Sequence, residues 1–258
     1  LARLAEHLET AELKAHDVTK ITDEYPDMDW DDAYAIQDMI RARKEGRGQK
    51  TVGLKCGLTS YAKMKQMGVD TPCFGFVSDY MACAEGSEIK TAELIHPKVE
   101  AEICVVTKSV LKGPGCHFGA VMAAIDFVIP GVEIIDSRYR DFKFDLKSVI
   151  ADNTSASRFV IGGRSRRVDE LDLRTLGVVL EKNGQIVAMA AGAAVMGHPA
   201  AAIAALANHL GARGQEIPAG TFIMTGGVTE AIAVQAGDSV NVRFQDPVSY
   251  THLRAHET

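Results

Sequence analysis

The sequence predicts an α+β protein, with an N-terminal helical layer over residues 1–48 and a mixed, mostly antiparallel β core over residues 49–246. Three observations predict it. The first 48 residues carry helix-period apolar spacing. A strong hairpin signal spans residues 178–189. Beyond residue 130 strands alternate with turns more than with helices, the order of an α+β chain rather than a doubly wound one.

Residues 31–44 justify the helical layer. Ile36, Met39 and Ile40 share one face, Asp31 and Asp32 stand in the first turn, and Arg41, Arg43 and Lys44 stand in the last. That charge order suits the helix dipole, and Gly46-Arg47-Gly48 supplies the stop. Residues 51–55 read as a short strand, and Thr59 or Ser60 can cap a short helix to Met67, stopped by Gly68. Residues 74–78 read as loop-like, residues 99–106 as a strand, residues 119–128 as a helix, and residues 132–136 as a second strand. Asn183-Gly184 joins the two arms of the hairpin, because a two-residue turn needs left-handed backbone that Asn and Gly tolerate. His198-Pro199 opens an Ala-rich helix to about Leu210, and residues 222–227 and 239–244 read as strands. From Pro247 the alternation breaks. Residues 247–258 resemble a translated adapter and are expected to be a non-native tail.

Composition narrows the function. The chain has 258 residues, 47% apolar and 24% charged, with a net charge of −6, which is ordinary for a globular protein. Acids and bases are interspersed, so the basic stripe of a nucleic-acid or membrane-surface binder is missing. No apolar run reaches the roughly 18–20 residues that span a bilayer. The five cysteines (Cys56, Cys73, Cys83, Cys104, Cys116) are odd in number and lack CxxC spacing, which predicts free thiols and a cytoplasmic setting. There is no P-loop, dinucleotide fingerprint, nucleophile elbow or zinc-protease motif.

The chemistry-bearing candidates are acidic. Glu100 and Glu102 stand at i and i+2 of a strand and therefore share a face. Glu133 lies in a second apolar strand. A solvated strand face is one reading. A divalent cation among three buried carboxylates is the other, since hard oxygen ligands suit Mg²⁺, Mn²⁺ or Ca²⁺. Lys55, in a third short strand, is either a snorkelling edge residue or a partner for carboxylate or enolate oxygens. Asp79 follows the loop-like stretch, as a turn acid or a site acid. Asp136 and Arg138 can pair in support of the site or as a plain salt bridge. The polar run 152–158 either turns the chain or offers donors to a substrate, with Ser155 and Arg158 as the candidates. Thr225 and Gly226 end a strand where glycine would let a ligand approach the backbone. His198 reads as structural.

In order along the chain, Gly53-Leu54-Lys55-Cys56-Gly57-Leu58-Thr59-Ser60, Gly68-Val69-Asp70, Phe74-Gly75, Glu100-Ala101-Glu102, Glu133-Ile134-Ile135-Asp136-Ser137-Arg138, Asp152-Asn153-Thr154-Ser155, Gly197-His198-Pro199, Thr225-Gly226-Gly227 and Gly237-Asp238 resemble the hydratase/decarboxylase family of the fumarylacetoacetase-like superfamily. The resemblance runs from the N-terminal helices to about Asp246. It implies a fumarylacetoacetase-like mixed β-roll or barrel core. It also implies Mg²⁺, with Mn²⁺ as substitute, on Glu100, Glu102 and Glu133, and catalytic roles for Lys55 and Asp79. Ser155, Arg158, Thr225 and Gly226 would bind substrate. Two activities occur in the family: hydration of 2-oxopent-4-enoate (vinylpyruvate), and decarboxylation of 4-oxalocrotonate (2-oxohex-3-enedioate) in meta-cleavage degradation of aromatics. Residues 98–102 and 152–159 look more like the decarboxylases, and Arg158 could serve the extra carboxylate of a dicarboxylate. The resemblance further implies a homo-oligomer and the vinylpyruvate hydratase as protein partner. A non-catalytic scaffold for that hydratase is the alternative of another class.

Overall fold

The computed structural model describes residues 1–245 and 249–256. The helical layer forms as α1 (Ala2–Leu13), α2 (Ile21–Glu24) and α3 (Trp30–Gly46). Asp29 and Asp32 close a reciprocal capping box at the start of α3. The buried face of α3 includes Ile36 and Ile40, as the spacing requires. Then come β1 (Thr51–Gly57), α4 (Tyr61–Met67), β2 (Cys73–Ser78), β3 (Ala82–Cys83), β4 (Glu88–Lys90) and β5 (Lys98–Thr107). The middle of the chain holds α5 (Phe118–Ala124), β6 (Ile125–Ile135), α6 (Leu146–Ala151), β7 (Ala156–Ile161) and β8 (Arg166–Arg167). The last third holds β9 (Gly177–Lys182), β10 (Gln185–Ala191), α7 (Pro199–Ala212), β11 (Phe222–Gly227), β12 (Ile232–Ala233), β13 (Ser239–Phe244) and β14 (Ser249–His256).

Nine strands make the main sheet, in the path β2-β1-β11-β5-β6-β7-β3, with β12 on β5 and β8 on β6. Its pairs are antiparallel except β1–β11 and β3–β7. The hairpin β9–β10 turns at Asn183 (φ +54°) and Gly184 (φ +76°) and begins a second sheet, β10-β9-β13-β14-β4. An α+β architecture with a helical layer is therefore what forms.

Strand parity divides the interior. On β5, Val99, Ala101, Ile103 and Val105 face the large apolar core that includes α1, α3 and α7. The alternate positions, Glu100, Glu102 and Cys104, face the other way. Cys104 joins Val77, Met81, Phe159 and Met224 in a smaller cluster on that face.

Two local expectations are corrected. Residues 74–78 are not loop-like but belong to β2, whose residues are all buried. Only α5 of the expected helix 119–128 forms, because residues 125–128 extend into β6 and pair with β5 and β8. Residues 249–256 of the expected non-native tail form β14, which pairs with β13 and β4. The expected tail's residues 247, 248, 257 and 258 lie outside the described residues.

Candidate metal centre and its cleft

Register brings the candidate acids together. Glu100 lies directly opposite Glu133 in the β5–β6 ladder, and Glu102 is two residues further along the same face. One carboxylate oxygen from each lies within 4.8 Å of the others, and all three residues are buried. Lys55 reaches the same point from β1. It is 1% exposed, its Nζ lies 2.5 Å from Glu133 Oε1, and it donates to the Thr154 carbonyl at 3.0 Å.

One ammonium cannot offset three buried carboxylates. Desolvation, then the charges of Glu133 and Glu100, push the Glu102 carboxyl well above its ordinary range. Desolvation also raises Glu100. For Lys55 burial pulls downward, but Glu133 and Glu102 outweigh it and hold the ammonium protonated. Among the described residues Glu102 Oε1 and Glu133 Oε2 are buried without a hydrogen-bond partner. Hard, unsatisfied, convergent oxygens are what a divalent cation takes up, so the residues present fit Mg²⁺ or Mn²⁺.

The end of β11 is shaped to this cluster. The Gly226 N–H donates to Glu102 Oε2 at 2.8 Å, which orients that carboxylate. Gly226 has φ +104°, and a Cβ there would lie 2.0 Å from Thr59 Oγ1. A Cβ on Gly227 would lie 2.3 Å from Glu100 Oε2. Gly226→Ala is expected to weaken Mn²⁺ binding about 10- to 100-fold, the usual scale for lost support of a metal ligand. Calorimetric titration checks this, and an unchanged affinity would contradict it.

Above the cluster opens a cleft of about 570 Å³, lined in part by Lys55, Leu58, Cys73, Glu100, Thr154 and Ser155. Asn153, Thr154 and Ser155 all have left-handed backbone, at φ 47°, 52° and 58°. Non-glycine residues hold such values only where the surroundings impose them. Here Asn153 exchanges two hydrogen bonds with the Phe76 backbone, clamping the turn onto β2. The hydroxyls of Thr154 and Ser155 are buried without partners among the described residues, which leaves both able to donate to a ligand. Among the described residues no histidine lines the cleft, and burial pushes the Cys73 thiol up to about 12. The lining therefore offers acids, an ammonium and hydroxyl donors, but no activated nucleophile.

Three of the expected residues lie off the cleft lining in this structure. Asp79 is exposed at the far end of β2, where its carboxylate accepts from the N–H groups of Lys50 and Tyr80, away from the cleft lining. Arg158 is opposite Ile134, whereas Phe159 is opposite Glu133, so the parity of β7 turns Arg158 to the other face. There it pairs with Glu93 at 3.4 Å and lies over the Tyr80 ring. Thr225 donates its hydroxyl to the Ile103 carbonyl at 2.7 Å, so that group ties β11 to β5. Arg138 pairs with Asp152, while Asp136 accepts from the N–H groups of Ile95 and His96. His198 caps α7, accepting from the Ala200 N–H. The reading from sequence missed Lys63 on α4, Lys98 on β5, Phe142, Phe144 and Glu230 in the lining. Lys98 was within its reach, since it shares the parity of Glu100 and Glu102.

No family model matches the chain. It is 61% identical over 242 residues to a 4-oxalocrotonate decarboxylase of Pseudomonas putida, covering 94% of this chain and 92% of that one. The chain belongs to the hydratase/decarboxylase family, on its 4-oxalocrotonate decarboxylase branch. A 2-hydroxyhexa-2,4-dienoate hydratase of Comamonas testosteroni is 38% identical, covering 87% of this chain and 86% of that one. The solved 4-oxalocrotonate decarboxylase from Pseudomonas putida G7, complexed with magnesium and adipate, superposes with a TM-score of 0.97 at 58% identity, covering 98% of this chain and 96% of that one. The core is thus the expected fumarylacetoacetase-like one with its N-terminal helical layer.

Proposed function

We infer that the protein is a metal-dependent carbon–carbon lyase that decarboxylates 4-oxalocrotonate to 2-hydroxypenta-2,4-dienoate and CO₂ in meta-cleavage degradation of aromatics. The observation that carries this reading is the likeness to the decarboxylase branch along nearly the whole chain, at 61% identity against 38% for the hydratase. The buried triad of glutamates with Lys55 supports it.

In the proposed mechanism Glu100, Glu102 and Glu133 hold Mg²⁺, with Mn²⁺ as substitute. The cation, when bound, supplies a Lewis acid for the C1 carboxylate and 2-oxo oxygen of the substrate. The Gly226 N–H keeps Glu102 aimed at the cation. The free hydroxyls of Ser155 and Thr154 donate to the substrate from the cleft wall. The C5–C6 bond breaks and CO₂ leaves. Its electron pair forms the C4–C5 double bond, the C3–C4 pair moves to C2–C3, and the negative charge arrives on the C2 oxygen. Lys55 faces that oxygen as an ammonium, stabilises the charge and can supply the proton that completes the dienol. Asp79, Arg158 and Thr225 have no part in these steps.

We also propose that the protein assembles with copies of itself and with the vinylpyruvate hydratase that consumes its product, and that it works in the cytoplasm. The partnership rests on the family resemblance. The exposed Ile186, Val187 and Met189 on strand β10 offer an apolar edge for such contacts. The five free cysteines and the lack, among the described residues, of a helix long and apolar enough to cross a membrane fit that location.

The test is turnover by the Mg²⁺-loaded protein. CO₂ released from 4-oxalocrotonate is the expected result. Hydration of 2-hydroxypenta-2,4-dienoate without CO₂ release would move the protein to the sister activity, and inertness toward both would leave the scaffold.

A further inference from the structure

We propose that Lys98 and Lys63, at the mouth of the cleft, form the subsite for the far carboxylate of the substrate and so select a dicarboxylate over a monocarboxylate. This rests on the decarboxylase reading above. Lys98 precedes Glu100 by two residues on β5, so Glu102, Glu100 and Lys98 form one row on one face. Neighbours in such a row stand about 6.8 Å apart. A six-carbon diacid anchored by its 2-oxo end at the glutamates spans a comparable distance, which brings its other end to Lys98.

The two lysines lack a settled partner there. Lys98 Nζ lies 3.9 Å from the centre of the Phe142 ring, and among the described residues it makes no ion pair. Lys63 Nζ lies 3.7 Å from Glu100 Oε2, a carboxylate assigned above to the cation. Both ammonium groups line the same cleft and repel each other there. An anion placed between them relieves that repulsion. Glu230 is the other acid of the lining beside Glu100. It is exposed, and among the described residues it pairs with neither lysine. Arg158, expected in this role from sequence, points to the opposite face. A monocarboxylic 2-oxo acid has nothing to offer the pair, so only the diacid gains from it.

Calorimetry on the Mg²⁺-loaded protein tests the subsite without turnover, using adipate as the diacid and 2-oxopentanoate as the monoacid. Lys98→Met and Lys63→Met should each weaken adipate about tenfold or more, the scale of a hydrogen bond to a charged group, and leave 2-oxopentanoate within about twofold. Lys98→Arg should keep most of the adipate affinity, and Arg158→Met should alter neither ligand. Equal losses for both ligands, or adipate binding indifferent to both lysines, would overturn the subsite. If the wild type released no CO₂ while adipate still depended on the lysines, the decarboxylase reading would fall and the subsite would stand.

Discussion

Glu102→Gln is expected to cut CO₂ release by about 10³-fold or more, since a Lewis acid supplies several kcal/mol to a transition state and each 1.36 kcal/mol is a tenfold change in rate. Glu102 is fully buried, its Oε1 has no partner, and its Oε2 is aimed by Gly226. The amide keeps the shape and an oxygen for the Gly226 N–H but removes the charge that binds the cation. Stability should move the opposite way. In the metal-free protein Glu102 and Glu100 titrate above their ordinary range, so the unfolded chain gives up these protons at lower pH than the folded one. Their contribution is therefore intact in acid and lost as pH rises through the raised folded values. A bound cation removes this penalty. The difference in Tm between Mg²⁺ and chelator should widen from acid to alkaline pH in the wild type. In Glu102→Gln the metal-free protein should melt higher and the response to Mg²⁺ should vanish. Thermal melts at two pH values, with a parallel CO₂ assay, check all of this. A pH-independent metal effect would contradict it.

Lys55→Met is the second large effect. Turnover should fall about 10²- to 10³-fold, the scale found when a donor to a developing oxyanion is removed. The loss should lie mainly in kcat, because the ammonium meets most of the charge only as CO₂ leaves. The substitution also strips Glu133 of its ion pair, and breaking a buried pair from one side costs about 3–5 kcal/mol. A cation can compensate Glu133 in place of the ammonium. The destabilisation should therefore be larger in chelator than in Mg²⁺. A variant that kept kcat within tenfold, or that was equally destabilised in both conditions, would remove Lys55 from the chemistry.

The site was partly legible. Glu100 and Glu102 are two apart on one strand, and strand parity needs only local sequence. Glu133 announced itself as an acid among apolar residues. Its place opposite Glu100 is a matter of β5–β6 register, which no local pattern states. The placement of Arg158 and Asp79 has the same cause. Their neighbours in sequence lie near the site, but one step of parity turns Arg158 to the opposite face, and Asp79 lies at the far end of β2 from the cluster. Residues 125–128 follow a helix directly, so their helical reading was natural. Pairing with β5 and β8 overrides that propensity.

By itself, then, the chain determined what short-range physics controls: the capped helix α3, the Asn-Gly hairpin, the parity of the glutamate strand and the ordered motifs that mark its family. Only the tertiary structure decided which acids meet, that Lys55 is buried among them, and that Lys63 and Lys98 rather than Arg158 face the cleft. The division is physical. Periodicity and turn chemistry act over a few residues, whereas register between β1, β5, β6, β7 and β11 is set by burying one face of every strand at once.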